Sequence, residues 1–177
     1  MNTKKREDGF TYVDVLVAIV ILLIGITALV GAVVGSVLKS RQQESQLLAK
    51  QYATSTLESI ISTRDIDVLG WDALGNIGSN IDSGGVARGV FAVGEKPMRD
   101  GAGIDQIVGT NDDSGTTVTG FTRKITVIDI CDPSRPSYNC SPAGTNPVMM
   151  RRVDVTIYYF TEKIKQQENV STIVTNY

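Results

Sequence analysis

The sequence predicts an α+β fold: a long N-terminal helix, membrane-spanning in its first half and amphipathic in its second, packed against a C-terminal antiparallel β-sheet. Three observations predict it. From Val15 to Leu38 there are 24 residues without a charge. No Pro or Gly interrupts the chain between Val37 and Ile66. Val153, Val155, Ile157 and Tyr159 alternate with Arg152, Asp154, Thr156 and Tyr158, the period of a strand with one buried face. A chain of 177 residues accommodates one folded domain plus an anchor.

Residues 1–9 are a short charged stretch, and the apolar run after it fits by itself an uncleaved single-pass anchor as well as a cleaved one. Lys4, Lys5 and Arg6 precede the apolar run, and by the positive-inside rule they hold the N-terminus in the cytoplasm. A secretory signal peptide would have a shorter apolar stretch, about 7 to 15 residues, ending at a small-residue cleavage site. Here the run is too long, and the site near Gly31-Ala32 is poor.

Residues 10–38 form the membrane-spanning half of the helix. A run above about 18 apolar residues reads as a transmembrane helix. Sixteen of the 24 residues are Leu, Ile or Val. At about −0.3 to −0.6 kcal/mol each, they favour insertion by roughly 5 to 10 kcal/mol, which outweighs one aspartate, Asp14, at the edge. An ionisable residue at that depth is a functional-site hypothesis. Gly31-x-x-x-Gly35 permits close helix contact but is equally read as glycine tolerated in a membrane segment.

Residues 39–64 form the amphipathic half. Leu57, Ile60 and Ile61 fall at i, i+3, i+4, and Leu47, Leu48 and Tyr52 continue a similar stripe upstream. This face is expected to carry the folded domain.

Residues 65–120 hold 12 of the 17 glycines and read as loops and short strands, with candidates at Gly89–Val93 and Ile104–Val108. Trp71, the single Trp, is expected to anchor packing near the helix end. Gly101-Ala102-Gly103 lacks the third glycine and preceding strand of a dinucleotide loop. Asn111-Asp112-Asp113-Ser114 offers oxygen ligands, but not with EF-hand spacing, so a solvated turn is favoured over calcium. No other cofactor is expected.

Residues 121–177 form the antiparallel sheet with a disulfide loop. Strands are expected at Arg123–Ile130, Val153–Tyr159 and Val170–Val174, with Thr161–Asn169 as a polar connection. Cys131 and Cys140 bracket a Pro-containing loop on the far side of the anchor, which suits a disulfide in an oxidising compartment. A loop of that size would contribute roughly 2.5 to 3 kcal/mol. The rival, a reduced pair holding zinc, is poorly supplied because the chain has no His.

Composition narrows function. The net charge of −2 gives no broadly basic surface, so nucleic acid is not indicated as a partner. Without His, and with no spacing that pairs a nucleophile with a base, an enzyme is not expected.

Gly9-Phe10-Thr11-Tyr12-Val13-Asp14-Val15-Leu16-Val17-Ala18 resembles the class III signal of type IV prepilins and pseudopilins. Such a signal has a short charged leader ending in Gly, then Phe, then a hydrophobic helix with an acid at the fifth position. Asp14 stands where the family usually carries Glu, and Tyr12-Val13 where the pair is usually more aliphatic. The continuation is similar to the minor, PilV-like branch.

The resemblance implies a structural subunit of a type IV pilus, or its sibling, a type II secretion pseudopilin. It implies that residues 1–9 are a cytoplasmic leader, with cleavage by prepilin peptidase between Gly9 and Phe10, methylation of the new Phe10 amine, and an assembly role for Asp14 opposite a neighbour's N-terminal ammonium. The implied partners are the peptidase, other pilin or minor pilin subunits, the inner-membrane assembly platform and membrane lipid. The implied location is the inner membrane, with a periplasmic C-terminal domain, and then the filament. The competing reading is an unprocessed bitopic protein whose head binds some ligand.

Overall fold

The structure, a computed structural model, describes residues 9, 11–66, 68–82, 84–130, 148–161 and 163–176. Cys131 and Cys140 lie outside the described residues, as does Phe10. The chain forms two units, Met1–Gln43 and Glu44–Tyr177. The elements are helix α1 (Tyr12–Asp65), a single 3-10 turn at Trp71–Ala73, and strands β1 (Lys96–Gly101), β2 (Ser114–Ile130), β3 (Met150–Thr161) and β4 (Ile164–Thr175). The strands form one antiparallel sheet in the order β1-β2-β3-β4.

In the first unit, α1 is helical from its first capped turn, and its Leu, Ile and Val residues from Val13 to Leu38 are exposed on every side. This segment is long and apolar enough to cross a membrane.

In the second unit, the last turns of α1 pack on the sheet. Ala49, Ala53, Thr56, Leu57, Ile60 and Thr63 are buried. The stripe therefore runs through the small residues Ala49 and Ala53, not through Leu47, which is 58% exposed. Small side chains let the helix backbone come close to the sheet, where a leucine would hold it off. Ala49, Ala53, Leu57 and Ile60 join Ile125, Val153, Val155, Ile157, Tyr159 and Val174 in one core with Leu69, Leu74 and Phe91. Tyr52 meets Phe121 edge-on at 5.2 Å between ring centroids. The inner face of β3 is the centre of this core: Val153, Val155 and Ile157 are fully buried, each contributing about 1.5 to 3 kcal/mol.

The sheet is more extensive than the sequence suggests. β2 begins at Ser114, not Arg123. Its added half is Thr-Thr-Val-Thr between Gly115 and Gly120, both with positive φ. The β-branched run favours a strand, and the glycines accommodate local irregularity. β1 carries Pro97, which an edge strand tolerates because one side of its backbone needs no ladder bond; only Met98 is buried.

β4 begins at Ile164, so most of the expected polar connection is strand. Thr161 pairs with Ile164. Backbone pairing with β3 continues beyond the apolar core, and Glu168 accepts a hydrogen bond from Gln46 at 2.8 Å.

Gly89–Val93 and Ile104–Val108 are not strands. Phe91 makes only an isolated bridge to Asn76. Around Ile104, carboxylates take the amides that a sheet would have used: Asp112 accepts from Ile104 and Asp105, and Asp105 from Ile107. Asn76 takes on a strand's pairing, donating to Ile125 O at 2.8 Å and accepting from Val127 N at 2.9 Å.

Trp71 sits under β3. Its Nε1 donates to Val148 O at 3.1 Å, and the Arg151 guanidinium lies 4.4 Å from its ring centroid. Arg151 also donates to the carbonyls of Trp71 and Leu74 and, at 2.9 Å, to Asp129 Oδ1. One arginine thereby fastens the 3-10 turn to the sheet.

Candidate functional site

Two features carry chemistry, one in each unit. In the first unit, Gly9 is exposed and α1 starts immediately after Thr11. Asp14 Oδ2 accepts from Thr11 N at 3.0 Å and from Thr11 Oγ1 at 2.7 Å. Asp14 N points back at Thr11 Oγ1 at 3.4 Å and bonds Thr11 O at 3.0 Å. Thr11 is thus the helix cap, and Asp14 its reciprocal acid in the third helical position, a capping box. The Thr-x-x-Asp spacing was available in the sequence as a helix-start signal. It gives Asp14 a local partner in addition to any partner on another chain.

Within the apolar run from Val15 to Leu38 the polar side chains are Thr27 and Ser36. Thr27 Oγ1 donates to Leu23 O at 2.7 Å, and Ser36 Oγ to Val33 O at 2.9 Å. These hydroxyls are satisfied within the helix, as an apolar surrounding requires. Gly25, Gly31 and Gly35 have open space where a Cβ would stand.

In the second unit, Arg123 Nη2 and Asp113 Oδ2 form an ion pair at 2.5 Å, with the two side chains 5% and 10% exposed. Asp113 also accepts from Gly109 N at 3.0 Å. Burial raises the Asp113 carboxyl above its ordinary range, against the pull of Arg123, and burial likewise lowers the Arg123 guanidinium. Each charge is held in place against its own desolvation. The sequence places Asp113 in a solvated turn; in the structure it is paired instead with Arg123 of β2. A separation of ten residues carries no sequence signal.

Of the four residues that offer oxygens for calcium, Asp112 and Asp113 are engaged by the protein itself. Asp112 binds the amides of Ile104 and Asp105 and the Thr110 hydroxyl, and that hydroxyl is the main cause of its lowered carboxyl pKa. Among the described residues there is no group of three or more acidic or cysteine side chains that could hold a metal.

Beside the ion pair lies a cavity of about 250 Å³ lined by Lys96, Arg99, Thr110, Asn111, Asp113 and Arg123, among others. Residues three apart on a regular strand face opposite ways. A register shift between Pro97 and Arg99 breaks that alternation, and Lys96 and Arg99 both border the cavity. A second cavity, about 460 Å³, shares Arg99 and Arg123 and is walled by Tyr52, Ser55 and Thr56 of α1.

Comparison of the chain with family models, curated proteins and solved structures finds no match in any of the three.

Proposed function

We propose that this chain is a structural subunit of a type IV pilus or a related filament, a minor pilin, with a structural rather than catalytic role. It is inserted in the inner membrane with its second unit in the periplasm, cut by prepilin peptidase after Gly9, and methylated on the Phe10 amine. Other pilin subunits and the inner-membrane assembly platform then take it into the filament. Cys131 and Cys140 form a disulfide in the periplasm.

The observation that carries the reading is the start of α1. A capped acid stands five residues after Gly9, at the head of a helix whose apolar surface is exposed on every side. Such a surface is stable only in lipid or among other apolar helices. The helix cap uses only one of the two carboxylate oxygens. Both Thr11 donors end on Oδ2, and among the described residues nothing donates to Oδ1. That oxygen is available to the Phe10 ammonium of a neighbouring subunit. Two opposite charges in an apolar bundle are costly apart, so the pair sets register between subunits.

The test is sheared-filament fractionation of cells with and without active prepilin peptidase. The chain is expected in the filament fraction only when the peptidase is active. Retention in the inner membrane under both conditions, while the other subunits are sheared off, would overturn the reading.

A further inference from the structure

The cavity of about 250 Å³ beside β1 has an unbalanced lining: Lys96, Arg99 and Arg123 against one carboxylate, Asp113. That carboxylate is committed, since it holds Arg123 at 2.5 Å and accepts from Gly109 N. Among the described residues neither Lys96 nor Arg99 forms an ion pair. Arg99 spends one donor on Gly115 O at 3.0 Å and keeps the rest of its fork. Arg123, whose side chain is only 5% exposed, is a buried cation on the cavity wall. Thr110 and Asn111 add neutral hydrogen-bonding groups.

Like charges gathered around one concavity repel, and a low-dielectric wall strengthens the field inside. The register shift in β1, which places Lys96 and Arg99 together, makes this gathering a built feature of the strand. The volume falls below the roughly 300 to 1,000 Å³ of common small-molecule pockets, so it suits one oxyanionic group. Guanidinium forks match the planar or tetrahedral oxygens of carboxylate and phosphate.

We propose that this cavity is a binding site for a small oxyanion of the carboxylate or phosphate class, held by Lys96 and Arg99 with Arg123 behind them. The inference is independent of the filament reading and holds for the folded second unit whatever the first unit does.

The experiment is isothermal titration calorimetry of the full chain in neutral detergent micelles. Inorganic phosphate and succinate are the two probes, at constant ionic strength. The expected result is saturable one-to-one binding of at least one probe, weakened at least tenfold in Lys96→Gln/Arg99→Gln and several-fold in Lys96→Gln alone. Lys96 is exposed, so its single variant keeps the fold, and a matching unfolding midpoint verifies this. Phosphate binding without succinate, or the reverse, assigns the anion class. No saturable binding of either probe, or binding unchanged in both variants, overturns the proposal.

Discussion

Thr11 and Asp14 hold each other at the start of α1: the threonine amide and hydroxyl both donate to one carboxylate oxygen, at 3.0 and 2.7 Å. A helix that begins on this pair has its first free amide satisfied and an acid near the positive end of its dipole. The same acid is the residue proposed to pair with a neighbouring subunit, so its two roles need separating.

Asp14→Asn separates them. The amide oxygen still accepts from Thr11, but the charge is gone. If the charge sets subunit register, Asp14→Asn and Asp14→Ala are both lost from the sheared-filament fraction while insertion and cleavage proceed. Thr11→Val, which removes only the hydroxyl, is then incorporated nearly normally. Immunoblots of membrane and filament fractions read the outcome; normal incorporation of Asp14→Asn would leave the acid as a helix cap alone.

The Arg123–Asp113 pair supports a second prediction. Removing one member of a buried pair leaves an uncompensated charge, at a cost of about 3 to 5 kcal/mol. Arg123→Met should destabilise the second unit by that amount. Adding Asp113→Asn, which still accepts from Gly109 N, should restore most of it. Urea unfolding of the full chain in micelles measures both variants; equal loss in single and double variants would show that the arginine acts through packing.

Arg151 fastens Trp71 and Leu74 to the sheet by two carbonyl bonds and a cation–π contact. Arg151→Ala should cost about 2 to 4 kcal/mol. Arg151→Lys keeps the charge but loses the fork, and should fall between. Trp71 fluorescence should shift in both, because the guanidinium over its ring moves or disappears. An unchanged emission spectrum in Arg151→Ala would contradict the contact.

Acid should loosen the contact between Glu95, just before β1, and Lys165 of β4. Glu95 is held below its ordinary 4.5, first by the hydrogen bond from Lys165 and then by that from Thr122. Its contribution is present in full above about pH 4.5 and is lost as pH falls through the lowered value. Asp113 runs the other way. Its raised carboxyl favours the folded state below its ordinary 3.8 and ceases to do so as pH rises through the raised value. Glu95→Gln should therefore flatten the acid-side loss of stability, and Asp113→Asn should steepen it. Unfolding midpoints between pH 3 and 6 test both signs.

Much of this architecture was legible in residue order. The 24-residue uncharged run and the alternation at Val153–Tyr159 announce α1 and β3, because an apolar helix surface and a one-sided strand each select side chains directly. β1 and the first half of β2 were hidden by Pro97, Gly115 and Gly120, which read as breakers but sit at an edge and at irregular positions. The polar half of β4 was hidden because it is held by backbone pairing with β3 and by polar contacts such as Lys165 with Glu95, not by apolar burial. At the site, Asp14 stands out as an acid beside an apolar run, whereas the cavity cations Lys96 and Arg99 become neighbours only through a register shift that no local pattern encodes.

In the proposed function the chain passes through the prepilin pathway. Intact and N-terminal peptide mass spectrometry of the protein from its native membranes tests it most directly. The account predicts a chain that begins at Phe10 and carries one added methyl group on its amine. A chain that still begins at Met1, in cells with an active prepilin peptidase, would contradict it.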